Sequence, residues 1–150
     1  MPNPNPSPKL LDYAVNLLSY RPRSEAEIRL RLKRKQIPAA EIDTIINTLK
    51  DMKLLDDQEF CLWWQEVRDK HRPRSSRILK LELRQKGVDR AIIEAAIDTS
   101  TATEKTRASL ALQKKYANRD LSQNRAKVIR FLASRGFSWD TISQVIKPQR

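Results

Sequence analysis

The tetrapeptide RPRS occurs twice in this chain, at residues 21–24 and again at residues 72–75. With that offset held, Leu32 falls on Leu83, so an apolar position repeats together with the loop. A fainter third copy surrounds Leu132, with the same internal spacing of apolar residues. A repeat of about fifty residues is typical of tandem supersecondary units that bury their apolar faces against their neighbours.

Each repeat is predicted to form three helices, because its apolar residues recur three and four positions apart. The first and third helices of repeat 1 carry the stripes Leu10, Ala14, Leu17, Leu18 and Ile42, Ile45, Ile46, Leu49. The second helix is predicted from about Ser24 to Lys35, and Arg21-Pro22 ends the helix before it. Repeat 2 opens with the stripe Phe60, Trp64, Val67, and repeat 3 is predicted to start near Glu104, after a polar linker at residues 98–103.

The second helices pose one ambiguity, because residues 28–32 and 79–83 alternate apolar and polar side chains as a half-buried strand does. Ser24 and Glu27 have the spacing of a capping box, which begins a helix, and Leu, Lys, Arg and Glu favour helix. We therefore predict helices. Their second apolar side, at Leu30 and Leu81, is expected to be covered by neighbouring helices.

The chain has only two glycines, Gly87 and Gly136, and each follows the second helix of a repeat. We expect both to take the left-handed conformation that closes a helix C-terminus. In repeat 1 the same place is occupied by Gln36, which would be strained by about 1 kcal/mol if left-handed. The scarcity of glycine also argues against a β-rich fold.

Charge is the strongest compositional signal, since 30 Lys and Arg against 18 Asp and Glu leave a formal net charge of +12. Such a field favours polyanions, above all nucleic acid. Cys61 is the single cysteine, so no internal disulfide is expected. No apolar stretch is long enough for a membrane span, and residues 1–8 are expected to be a disordered leader rather than a signal peptide. A cytoplasmic monomer is expected.

Candidate catalytic and metal-binding groups are few. Asp56-Asp57 is interpreted as a helix cap, with Asp57 accepting backbone N–H bonds before the fourth helix. One cysteine and one histidine, His71, are too few for a structural zinc site, and nothing supplies a nucleophilic site or a phosphate loop. We predict no enzyme activity, no metal and no cofactor. Trp64 is predicted to be core, leaving Trp63 as the better surface aromatic for stacking on bases.

The candidate binding residues are the basic side chains that recur at equivalent positions of the repeats. A continuous stripe of such residues would follow a phosphate backbone, although a solvated surface that aids solubility has the same composition. The candidates are Arg21, Arg23, Arg29, Arg31, Lys33, Arg34, Arg72, Arg74, Arg77, Lys80, Arg84, Arg119, Arg125, Lys127 and Arg130.

Three longer motifs resemble the bacterial RecX family: LDDQEF at 55–60, ELRQKGV at 82–88 and RFLASRGFS at 130–138. The resemblance covers roughly residues 10–146. It implies a regulator without chemistry of its own that binds RecA and RecA filaments on single-stranded DNA. Such a regulator inhibits recombinase, ATPase and co-protease activity, and so modulates DNA repair, recombination and the SOS response. The chain departs from the family pattern at Gln36, where glycine is usual, and near Cys61 and Arg74.

The fold class expected from these observations is all-α, a tandem array of three three-helix repeats, and the resemblance implies an elongated, curved array. The expected boundaries are 1–8 for the leader, 9–55 for repeat 1, 56–99 for repeat 2, and 100–150 for the linker and repeat 3. The expected partners are RecA and single-stranded DNA, with duplex DNA as a further candidate and no membrane. The alternative is a sequence-specific helix-turn-helix protein, because a three-helix unit can hold that motif.

Overall fold

A computed structural model describes residues 6–117 and 124–146, and this part of the chain is all helical, with nine helices and no strand. The strand-like alternation at residues 28–32 and 79–83 is therefore helical, as predicted. The helices are α1 Pro8–Tyr20, α2 Glu25–Arg34, α3 Ala39–Asp51, α4 Asp57–His71, α5 Ser76–Gln85, α6 Arg90–Ala96, α7 Thr101–Tyr116, α8 Arg125–Ser134 and α9 Trp139–Ile146.

The second helices of the three repeats, α2, α5 and α8, end in the same way. Gln36, Gly87 and Gly136 follow them with φ angles of +62°, +80° and +92°. In each case the next residue's N–H donates back to a carbonyl of the last turn: Ile37 to Leu32, Val88 to Leu83 and Phe137 to Leu132, at 3.1–3.3 Å. This Schellman-type closure satisfies carbonyls that a helix end leaves free, and it confirms the predicted left-handed residues.

The chain divides into two compact units, each with its own core. Unit 1 comprises Met1–Trp63 and Leu83–Ile93, and unit 2 comprises Trp64–Glu82 and Glu94–Arg150. The division runs through α4 and α5. The buried core of unit 1 includes Ala14, Ile28, Leu32, Ile42, Ile45, Ile46, Leu49 and Leu55. That of unit 2 includes Ala108, Ala111, Leu112, Tyr116, Val128, Leu132, Phe137 and Ile142.

A close backbone contact, which we call the repeat joint, occurs once in each unit. In unit 1, the buried Ser24 hydroxyl donates to the Lys86 carbonyl at 2.6 Å, and a Cβ on Gly87 would lie 2.3 Å from the Ala26 Cβ. The capping box of Ser24 and Glu27 is formed as predicted. Because of this close approach, the glycine at 87 is required by packing as well as by its φ angle.

In unit 2 a similar joint is made by the equivalent Ser75, Arg135 and Gly136, with a different donor group and a different packing partner. The Ser75 N–H donates to the Arg135 carbonyl at 3.1 Å. A Cβ on Gly136 would lie 2.3 Å from Ile78 Cγ1 and 2.4 Å from the Ser75 hydroxyl oxygen. The RPRS loops at 21–24 and 72–75 thus end in a serine that touches the C-terminus of a second helix in the next repeat.

Acidic side chains reinforce both joints, and here one sequence-based assignment is wrong. The Asp57 carboxylate accepts from the N–H of Glu25, the first residue of α2, at 2.8 Å. In the same manner Glu104 accepts from the N–H of Ser76, the first residue of α5, at 2.9 Å. The α4 N-terminus is capped instead by Asp56, which accepts from Gln58 N–H at 2.9 Å. Asp57 therefore caps a helix of the preceding repeat, a role that local spacing cannot reveal.

The predicted covering of Leu30 and Leu81 is also wrong. Both side chains are about half exposed, at 49% and 48%, on the outer sides of α2 and α5. Each second helix therefore buries one stripe only, through pairs such as Ile28 and Leu32, which are fully buried. The expectation failed because a second apolar side is a statistical sign of burial, and single exposed leucines are common at protein surfaces.

Two element boundaries differ from those read from the sequence. Helix α7 begins at Thr101 rather than near Glu104, because the Ser100 hydroxyl accepts from Thr103 N–H at 3.3 Å and caps the helix within the polar linker. Helix α1 begins at Pro8, the last residue assigned to the leader, with proline at a first-turn position that it favours.

Candidate functional site

Six of the predicted binding residues lie in the first loop and on α2 of unit 1. Arg21 pairs with Glu27 at 2.6 Å, and Arg29 pairs with Asp43 at 2.6 Å. The Arg23 Nε–H donates to the Leu17 carbonyl at 3.1 Å, at the end of α1. These three arginines are engaged in holding the first repeat together, although each keeps further donor groups.

The remaining cations of α2 form an exposed group. Arg31, Lys33 and Arg34 are exposed and make no ion pair with any residue in the described ranges 6–117 and 124–146. Arg84, from the part of α5 that belongs to unit 1, is exposed in the same way.

Burial, followed by the positive charges of Arg21 and Arg31, lowers the pKa of the Arg23 guanidinium. This region of unit 1 therefore carries more positive than negative charge.

The predicted residues of unit 2 fall into three settings. Lys80 pairs with Glu94 at 2.8 Å, whereas Arg77 is exposed. On α8, the side chains of Arg125, Lys127 and Arg130 are exposed. Arg72 and Arg74 lie in the loop before α5 and line a groove described below. Arg119 lies outside the described residues.

A groove of about 440 Å³ in unit 2, which we call the basic groove, gathers several positive side chains in a single concavity. It is lined from three directions, by the end of α4 and its following loop, by α7, and by α8. No carboxylate is among its lining residues, which are His71, Arg72, Pro73, Arg74, Ala111, Lys114, Lys115, Phe131 and Arg135. Five of them are lysine or arginine.

Contacts within the basic groove hold its cations in place. The Lys115 ammonium lies 4.9 Å and the Arg135 guanidinium 4.7 Å from the centroid of the Phe131 ring, and both are within cation–π range. Tyr116 meets the same ring edge-on at 5.8 Å. Lys114 donates to the carbonyl of Lys70 in the last turn of α4, where a cation complements the helix dipole.

Arg74 is half-buried in this group of like charges. Burial, followed by the positive charges of Arg135 and Arg68, lowers the pKa of its guanidinium. Glu82 opposes this effect on Arg74, but it is not among the described residues that line the groove. A group of like charges in one concavity is stabilised by a bound anion.

Sequence reasoning identified Arg72 and Arg74 but missed the other members of the groove. Lys114 and Lys115 come from the first helix of repeat 3, and Arg135 is not among the predicted binding residues. Phe131 was quoted in a motif without a role. Their approach depends on how α7 and α8 pack on the end of α4, and no local spacing encodes that packing.

Family domains match almost the whole chain. Residues 11–49, 56–97 and 103–146 match the domains described as the first, second and third three-helix domains of RecX. The chain belongs to the RecX family. The resemblance drawn from the three motifs is thereby confirmed, as is the all-α array of three-helix repeats.

Individual RecX relatives are similar over most of this chain. The "Regulatory protein RecX" of Chlorobaculum tepidum is 29% identical over 137 residues, covering 91% of this chain and 86% of the relative. That of Mycobacterium avium is 31% identical, covering 88% and 79%. That of Bacillus subtilis is 34% identical and covers 87% of this chain but 51% of the relative, so the chain spans about half its length.

Solved RecX structures have the same fold. The crystal structure of RecX from Lactobacillus salivarius superposes with a TM-score of 0.75 at 27% identity, covering 92% of each chain. A second crystal structure, of regulatory protein RecX, has a TM-score of 0.71 at 24% identity and supports the fold alone. The family is one of regulatory proteins rather than of enzymes.

One charged residue of this RecX chain is structural, and sequence reasoning did not single it out. Arg107 on α7 is 2% exposed. Its guanidinium donates to Gln65 at 2.7 Å, Glu104 at 2.9 Å and the Asp98 carbonyl at 2.9 Å. Asp69 lies 3.3 Å from its Nε as an ion pair without hydrogen-bond geometry. Burial raises the pKa of Asp69, and the positive charge of Arg107 opposes that rise.

The residues considered for catalysis or metal binding are placed as structural groups. Cys61 is fully buried, as predicted, and its burial raises the pKa of the thiol to about 11. Trp64 is only half-buried, contrary to the core prediction, and its indole N–H donates to Glu82 at 3.1 Å. Over residues 6–117 and 124–146, no three His, Cys, Asp or Glu side chains are grouped to hold a metal. In the same part of the chain, no helix has the length and apolar character to cross a membrane.

Proposed function

We propose that this chain regulates the RecA recombinase by binding RecA and RecA filaments on single-stranded DNA. In this proposal it inhibits recombinase, ATPase and co-protease activity and so modulates DNA repair, recombination and the SOS response. It acts by binding alone. Because its proposed partners are a recombinase and the DNA that it coats, the proposed place of action is the cytoplasm.

Membership of the RecX family carries the proposal, since all three family domains match within one chain. The charge distribution supports it. Arg31, Lys33 and Arg34 in unit 1 and the five cations of the basic groove in unit 2 are available for phosphate or carboxylate groups. A filament on DNA presents both, on the nucleic acid and on acidic protein surface.

The proposed mechanism is physical restraint rather than chemistry. Cationic side chains contact DNA phosphates, while other parts of the surface contact RecA. A protein held on both partners opposes the relative movement of protomers that ATP turnover and strand exchange require. Many weak contacts to phosphates make such binding strongly dependent on salt concentration.

The experiment that tests the proposal is a titration of the single-stranded-DNA-dependent ATPase of RecA with the full chain. We expect slowing at substoichiometric or near-stoichiometric ratios. An unrelated basic protein of similar size and charge serves as the control, and added free DNA separates inhibition of the filament from removal of DNA. If ATP hydrolysis is unchanged at every ratio, or if excess DNA restores it completely, the proposed mechanism is wrong.

A further inference from the structure

We propose that the basic groove of unit 2 is the binding site for the phosphodiester backbone of one nucleic-acid strand. The inference rests on the proposed function in one respect, that single-stranded DNA is among the ligands of the protein. It goes further by assigning the contact to Arg72, Arg74, Lys115 and Arg135 and by predicting that bases are not read.

Charge distribution is the first argument. Three cations of unit 2 outside the groove are paired with carboxylates: Arg68 lies 2.6 Å from Glu82, Lys70 lies 3.0 Å from Glu66, and Lys80 is paired with Glu94. Others, such as Arg77 and Arg130, are exposed singly on helix surfaces. In the basic groove five cations share one concavity, and among the described residues no carboxylate lines it. Uncompensated charge in a concave site concentrates the field and attracts anions.

Preorganisation is the second argument. Lys115 and Arg135 both lie against the Phe131 ring, at 4.9 and 4.7 Å, so their long side chains are restrained before a ligand arrives. A cation restrained in this way loses less conformational entropy on contacting a phosphate than a freely moving surface lysine. The backbone of the loop is fixed as well, because Ser75 donates to the Arg135 carbonyl across the repeat joint.

The contacts to Phe131 also decide what is recognised. Aromatic residues that bind single strands usually offer a ring face to a base. Here two cations already lie against the ring, and Tyr116 meets it edge-on at 5.8 Å. Phe131 therefore positions cations rather than bases, and the groove should bind phosphates with little preference for base sequence.

Size favours a single strand. A groove of about 440 Å³ holds a short length of sugar-phosphate backbone. A strand that runs over the groove can place successive phosphates against cations supplied by the loop, α7 and α8.

The test uses the full chain and a fluorescently labelled single-stranded oligonucleotide, with affinity measured over a range of salt. The variant is Lys115→Gln with Arg135→Gln. The matched control is Lys9→Gln with Lys105→Gln, which removes the same charge from exposed positions outside the groove. Circular dichroism establishes that both variants are folded.

If each groove residue contacts one phosphate of a single strand, each contributes about 0.7 to the slope of log K against log salt. The groove variant should then lose about 1.4 from the slope, which corresponds to roughly 25-fold weaker binding at 0.1 M salt. The control should change affinity less than about twofold and leave the slope unchanged. Oligonucleotides of different base sequence should bind the native protein equally.

Three results would overturn the assignment. Equal losses in the two variants would mean that only net charge matters, and no loss in either would mean that the strand binds elsewhere. If an acidic peptide of equal charge displaces the labelled oligonucleotide at a lower concentration than the unlabelled oligonucleotide does, the groove binds a protein ligand instead. The RecA ATPase titration tests the proposed regulation separately: if the native chain slows RecA while the groove variant binds the oligonucleotide as tightly as the native chain does, this inference is wrong and the proposed regulation stands.

Discussion

Replacement of Gly87 by alanine should destabilise unit 1 severely, for two reasons that can be separated. The φ angle of +80° costs an L-residue about 1–2 kcal/mol. The new Cβ would also lie 2.3 Å from the Ala26 Cβ, a contact with no flexible side chain to move aside. Overpacking of this kind costs about 1–3 kcal/mol, so the total expected loss is about 2–5 kcal/mol.

A double-mutant cycle with Ala26→Gly isolates the second cost. Ala26→Gly alone should destabilise by up to about 1 kcal/mol, because glycine is a poor helix former. In the double variant the clash is absent and only the φ strain and the glycine cost remain. The two changes should therefore couple favourably by about 1–3 kcal/mol.

The assay is urea unfolding of the native chain, the two single variants and the double variant, monitored by circular dichroism. Free energies of unfolding are compared with a common dependence on urea concentration. The close approach at the repeat joint is contradicted if the two changes are additive within about 0.5 kcal/mol. It is also contradicted if Gly87→Ala costs no more than the backbone strain alone, about 1–2 kcal/mol.

Other predictions follow from single contacts. Gln36→Gly should raise the free energy of unfolding in urea by about 1 kcal/mol, because Gln36 is exposed and has a φ angle of +62° that glycine adopts without strain. An unchanged stability would contradict backbone strain at this position. Asp57→Ala should lower the free energy of unfolding by about 1 kcal/mol, because the Glu25 N–H loses its acceptor. Asp57→Asn keeps an acceptor and should lower it less. Equal losses of stability in the two variants would contradict this cap. Hydrogen bonds from Thr103 and then from Ser100 lower the pKa of Asp98 to about 2, which NMR titration can measure. Since its folded pKa is below its unfolded value, its contribution to stability is present above about pH 4 and is lost as the pH falls towards 2. An ordinary pKa at Asp98 would contradict these hydrogen bonds.

The repeat and its helices could be predicted because they depend on local patterns. The positions of Gly87 and Gly136 predict left-handed residues at helix C-termini, and the spacing of Ser24 and Glu27 predicts an N-terminal capping box. These features hold in the structure because the physical cause of each lies within a few residues of the chain.

Features that join distant segments could not be predicted in the same way. Asp57 has the sequence context of an ordinary cap, yet it caps a helix that begins 32 residues earlier in the chain. Arg107 has the composition of a surface cation, yet it is buried among Gln65, Asp69 and Glu104. In both cases a polar group compensates another polar group that only tertiary packing brings near.

The candidate site shows the same limit. The repeated loops predict Arg72 and Arg74 as binding residues, and both line the basic groove. They could not indicate Lys115, Phe131 or Arg135, which come to the groove from two other helices. Nor could composition separate Lys80, which is paired with Glu94, from cations that remain available.

The central claim, that this RecX chain binds the RecA filament, is tested most directly by co-sedimentation with RecA assembled on single-stranded DNA with a slowly hydrolysed ATP analogue. We expect saturable pelleting of the chain with the filament, and binding to RecA in the absence of DNA in a parallel pull-down. Equal pelleting with the same DNA coated by an unrelated single-strand-binding protein, together with no capture by RecA alone, would contradict the claim.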